Sequence, residues 1–214
     1  SGGVSDYESL FHEMGHALHD ALTSVPEYEF QRLGDYGTTE TYAFLMESIF
    51  EDEAYLESKS LIEDDAVRSA FLKKQLLSEL GSARYYAGLF RYERLLHEGD
   101  LTDDELIAAY GDLMEESRLV PLEHPEFGYM SSNEDFYGVN YLEAWFLTAQ
   151  LRATLTERFG EDWWSSEEAG EFLAELWSHG AEFSPNEVAR RLGYEGLDSS
   201  YLIAEIRNAY EAYD

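Results

Sequence analysis

The chain has 214 residues, 44% of them apolar and 15% aromatic, enough for one substantial hydrophobic core. Its 45 acidic residues face 14 basic ones, and the formal charge of −31 excludes nucleic acid as a partner, because phosphate neutralisation needs basic clusters. No cysteine is present, which excludes disulfides, and no run is long and apolar enough to span a bilayer.

The acidic residues are spread through amphipathic segments rather than gathered in a tail, and lysine supplies only Lys59, Lys73 and Lys74. A folded, lysine-poor chain with this acid excess is expected to be adapted to concentrated salt, where screening suppresses self-repulsion. The N-terminus is not a signal peptide, so a cytoplasmic location is expected.

In chain order, almost everything reads as helix. Ser5-Asp6-Tyr7-Glu8 has the form of a capping box, and Tyr7, Leu10, Phe11, Met14, Ala17, Leu18 and Ala21 carry helical apolar spacing. Within that first helix lies His12-Glu13-Met14-Gly15-His16, an H-E-x-x-H pattern. Residues four apart share a helix face, so His12 and His16 can point neutral imidazoles at one cation. Glu13 stands further round, where its carboxylate can take a proton from a metal-activated water. The competing reading is a buried helix with hydrogen-bonded histidines, which would need a partner for each polar group.

A loop with Pro26 follows from Thr23 to Gly34, then a second helix from about Thr38 to Glu57, with Tyr42, Leu45, Met46, Ile49 and Phe50 as its apolar face. A third segment runs from Glu63 to Leu96. Thr102-Asp103-Asp104-Glu105 is a capping box for a helix that fades near Ser117. Val120 to Glu134, with Pro121 and Pro125, is irregular, and an aromatic-rich helix runs from Asp135 to Phe159. Ser165 to Glu168 caps the next helix. Ser184-Pro185-Asn186-Glu187 opens a short one that stops at Gly193, and Asp198 or Ser199 starts the last. No strand pattern, repeat or linker competes, so a single all-α domain over residues 1–214 is expected.

A third protein ligand is needed. A metzincin histidine would fall on Leu22, and the thermolysin-like spacing would put a glutamate near Tyr36, so neither class fits. His19 lies about 10 Å of axial rise beyond His12 and is expected next to the ligands or on the helix surface. Glu40, on the second helix, is either a ligand or a solvated surface residue. Glu47, seven residues on and on the same face, can accept from the other ring nitrogen of a ligating histidine.

The stretch SLFHEMGHALHDAL resembles the zinc helix of the thimet oligopeptidase and oligoendopeptidase F family, and its HEMGH core also resembles that of the angiotensin-converting enzyme family. The segment Asp135-Phe136-Tyr137-Gly138-Val139-Asn140-Tyr141 is similar to that family's tyrosine motif, and LWSHGAEFSPNEVARRLGY to its closing element. The resemblance implies a helical zincin-type metallopeptidase catalytic domain in which the zinc helix packs on a following helix bearing the third ligand. It implies Zn²⁺ held by His12, His16 and Glu40, Glu47 behind a ligand, Glu13 as general base, and Tyr141 or Tyr137 facing the metal. These families carry a histidine shortly before the tyrosines. The matching place here falls near Ser131, and His124 is the only histidine nearby. Members also have a long helical region ahead of the zinc helix, so this chain is expected to be the catalytic, C-terminal part of a longer peptidase, or else to self-associate. Short peptides are the implied substrates. The alternative is a catalytically impaired, zinc-stabilised helical domain that binds peptide or a protein partner.

Overall fold

The computed structural model describes residues 3–130 and 136–213. Among them every regular element is helical: α1 (Val4–Leu22), α2 (Tyr28–Arg32), α3 (Tyr36–Phe50), α4 (Glu53–Ser58), α5 (Asp65–Glu98), α6 (Asp103–Arg118), α7 (Tyr137–Phe159), α8 (Glu167–Ser178), α9 (Pro185–Arg191) and α10 (Ser200–Tyr213). This is the all-α class expected from the sequence. No helix among the described residues is long and apolar enough to cross a membrane.

Side-chain caps explain most helix starts. Thr102 and Glu105 form the expected capping box of α6, and Ser166 accepts from the Ala169 N–H at 3.2 Å to open α8. The Ser184 N–H donates to Glu187 at 3.0 Å, with Pro185 at the first position of α9. Three expectations need correction. α1 starts at Val4 behind Gly3 with no side-chain cap, so Ser5 and Glu8 lie inside the helix rather than across its start. The loop after α1 contains the short helix α2. The helix expected over 38–57 is two helices, because the Asp52 carboxylate accepts from the Tyr55 N–H at 2.8 Å and restarts the chain as α4. The region around Pro125 holds one 3₁₀ turn, Pro125–Phe127. Ser131, where the family histidine would fall, and Asp135, the expected helix start, lie outside the described residues.

The chain divides into two compact units, residues 1–75 with 143–214, and residues 76–142. In the first, α3 is the central element. Its Tyr42, Leu45 and Ile49 meet Leu147, Leu151 and Leu155 of α7, Leu173, Leu176 and Trp177 of α8, and Val188 and Ala189 of α9. The polar residues that α3 buries are satisfied: Thr38 donates to the Phe183 carbonyl at 2.7 Å and Thr41 to the Gly37 carbonyl at 2.7 Å. α1 packs along α3, and Phe50, Leu56, Phe71 and Leu72 form a second cluster against Val4 and Phe11. Arg68, 8% exposed, holds Glu57 at 2.7 Å, Asp65 at 2.9 Å and Glu53 at 3.4 Å.

The second unit is built on Leu89 and Tyr92 of α5 with Leu106, Leu113 and Met114 of α6. The Tyr92 hydroxyl donates to the Tyr129 carbonyl at 2.6 Å. Glu93, beside Tyr92, is fully buried, neither of its carboxylate oxygens has a hydrogen-bond partner among the described residues, and burial pushes its pKa up against a smaller opposing effect of His97.

Candidate metal centre

α1 carries His12 and His16 one turn apart, their rings 5.0 Å between centroids and nearly perpendicular. α3 starts one turn before Glu40 because Asp35 caps it, accepting from the Gly37 N–H at 2.8 Å. The packing of α1 on α3 then brings Glu40 opposite the two rings. His12 Nε2 stands 3.4 Å from Glu40 Oε2, and His16 Nε2 stands 3.8 Å from Glu40 Oε1. One donor atom from each of the three residues lies within 4.8 Å of the others.

This donor set fits zinc. Ligands at about 2.0–2.1 Å in a tetrahedron lie roughly 3.3 Å from one another, and the three donor atoms here lie within 4.8 Å before any ion draws them in. Two imidazoles and a carboxylate leave one position open, the composition of a catalytic rather than a structural site. Glu40 is 8% exposed, and its Oε2 is buried with no hydrogen-bond partner, an acceptor that a cation between the three groups would satisfy.

Glu47 reaches His12 from the same face of α3. Its Oε2 lies 2.9 Å from His12 Nδ1, so the Nδ1–H donates to it and the Nε2 lone pair is the one presented to a metal. In the metal-free protein the neighbouring Glu40 carboxylate, and then the hydrogen bond to Glu47, raise the His12 pKa from 6.5 to about 9, against a smaller effect of burial.

Glu13 follows His12 on α1 and is exposed. It also lines an open apolar groove of ≈ 600 Å³ with Leu10, Phe11, Met14, Met46, Tyr55 and others. The apolar residues of α1 differ in their surroundings. Phe11 packs on Phe50 and Tyr55, whereas Leu10 remains 58% exposed.

His19 is neither on the surface nor among the three converging donors. It is 3% exposed, and its ring packs on Tyr42 at 4.7 Å. Burial lowers its pKa, so it is a neutral core residue. Tyr137 and Tyr141 belong to the unit of residues 76–142, on the first turns of α7. Their rings are 5.5 Å apart, and Tyr141 also meets Tyr86 at 5.1 Å. His124, in the same unit, is exposed, and its Nδ1 lies 3.1 Å from Glu126.

Sequence reasoning missed Phe44. Its ring meets His12 at 5.2 Å and stacks on Trp145 at 5.2 Å, so it walls one side of the histidine. The signal was present in the register: Glu40, Phe44 and Glu47 are spaced four and then three residues apart and share one face of α3.

Comparison with known proteins bears on the family. The model of Peptidase family M3 matches residues 3–208. An oligoendopeptidase F homolog of Lactococcus lactis subsp. lactis is 29% identical over 220 residues. A plasmid oligoendopeptidase F of Lactococcus lactis subsp. cremoris is 27% identical over 220 residues. Each match takes in 99% of this chain and 34% of the relative, so the chain spans about a third of the length of these curated relatives.

Proposed function

Because the chain belongs to peptidase family M3, we propose that it is the zinc-binding part of a metallopeptidase that hydrolyses short peptides. The observation that carries this is the convergence of His12 Nε2, His16 Nε2 and the Glu40 carboxylate. Bound zinc supplies Lewis-acid polarisation and makes a water acidic enough to attack near neutral pH. Glu13 takes the proton from the attacking water and then delivers it to the leaving amine. Glu47 holds His12 in the tautomer that presents Nε2, and Phe44 restrains the ring from the side. The family resemblance gives Tyr141 or Tyr137 the role of hydroxyl donor to the oxyanion, an assignment that rests on sequence.

The test is Glu13→Gln. It removes the base and keeps the ligands, so kcat/KM on a short fluorogenic peptide should fall by about 10²–10⁴-fold with zinc content unchanged. A second reading is a zinc-stabilised domain that binds peptide without cleaving it; it follows from the sequence, which has serine near the place where the family resemblance would put a histidine, at Ser131. Stoichiometric zinc and peptide binding with no turnover in the intact peptidase would establish that reading and overturn the first.

A further inference from the structure

We propose that Gly15 is a positioning residue for the metal centre. Its missing side chain sets the separation of α1 and α3 at which His12, His16 and Glu40 converge. This rests on reading those three residues as ligands.

Gly15 is buried on α1 between the two histidines and faces Ala43 of α3, which follows Glu40 by three residues. A Cβ on Gly15 would lie 2.6 Å from Ala43 Cα, 2.6 Å from the Tyr42 carbonyl oxygen and 3.0 Å from Ala43 N. All three are helix backbone atoms. None can swing aside as a side chain would, and trimming Ala43 would relieve nothing. The clash is relieved only by parting the helices by about 1 Å. His12 and His16 ride on α1 and Glu40 on α3, so that movement enters directly into the donor separations of 3.4 and 3.8 Å. Metal–ligand distances tolerate only about 0.2 Å. One methyl group thus exceeds the tolerance several-fold. Glycine in a helix interior is otherwise unfavourable, and Gly170 of α8 is the natural control, since a Cβ there would meet nothing within 4 Å.

The experiment compares Gly15→Ala with Gly170→Ala in the whole chain. Zinc affinity is measured against a chromophoric chelator, and coordination by the visible spectrum of the Co²⁺ form. Gly170→Ala should bind zinc as the parent does and melt no lower. Gly15→Ala should keep its helical circular dichroism, bind zinc at least about tenfold more weakly, and show a Co²⁺ spectrum altered by withdrawal of the carboxylate. If Gly15 acts through the spacing, adding Gly15→Ala to the Glu40→Ala, Glu47→Ala pair should cost less than about a further twofold, because neither carboxylate of α3 then reaches the histidines of α1. A zinc affinity for Gly15→Ala within twofold of the parent, or an equal loss in both backgrounds, overturns the proposal. Should Gly15→Ala not fold, Glu40→Asp decides. It draws the carboxylate back by about 1.5 Å on intact helices, and unchanged affinity there would show that the spacing is not critical. Failure of the underlying ligand assignment is seen separately, as His12→Ala binding zinc like the parent.

Discussion

Replacing Glu47 by alanine has two opposed effects on zinc affinity, and pH separates them. The carboxylate accepts from His12 Nδ1 at 2.9 Å. Losing such a partner weakens metal binding by about 10–100-fold, or about 1.4–2.7 kcal/mol. Glu47 also helps hold a proton on His12, whose pKa in the metal-free protein is raised to about 9 by Glu40 first and Glu47 second. At pH 7 zinc must displace that proton, a penalty of roughly 100-fold that fades as pH approaches the pKa. Glu47→Ala lowers the penalty as it removes the support. The defect of the variant should therefore be partly masked at pH 7 and full near pH 9, so the ratio of parent to variant affinity rises across that range. Chelator competition from pH 6.5 to 9 measures the ratio, and ¹⁵N spectra of the imidazoles follow the metal-free titration. The same shift makes a signed stability prediction. The raised His12 pKa stabilises the metal-free fold fully below 6.5, and the contribution is lost as pH rises through about 9. Glu47→Ala should flatten that loss. A variant that binds zinc as tightly as the parent at pH 9, or an affinity ratio that is flat with pH, would refute the reasoning.

Two further outcomes follow from charge. With 45 acidic and 14 basic residues, melting temperature should climb steeply from dilute buffer to molar potassium chloride, where the Debye length is about 3 Å; a flat profile would leave the composition without a physical role. Buried Glu93 holds its proton to higher pH in the folded state than in the unfolded chain. Above the ordinary carboxylate range the folded state therefore binds more protons, and its stability falls as pH rises, by at most about 1.4 kcal/mol per unit. Glu93→Gln should match the parent near pH 4.5 in urea titrations and exceed it at pH 8, and equal midpoints at both would contradict the burial argument.

Local chemistry made much of this protein legible from its residues alone. Helical periodicity gave the class, and it placed Tyr42, Leu45 and Ile49 on the core face of α3, where they are buried. Cap signals at Thr102 and Ser184 operate over one turn, and they opened helices where expected. The four-residue step from His12 to His16 is likewise a property of a single helix. The misreadings are also local competitions: Asp52 broke an apolar run by capping inside it, and Ser5 looked like a cap but lies within α1.

Tertiary packing decided the rest. Whether Glu40 is a donor or a solvated glutamate depends on where α1 and α3 touch, and that contact is set by backbone atoms 28 residues apart at Gly15 and Ala43. His12 finds Glu47 across the same contact, whereas His19, on the same helix, turns into the core against Tyr42. A helix repeats its own geometry every few residues, so its residue types announce it. The distance between two helices depends on every side chain in the seam, and here on the absence of one, so only the folded chain reveals it.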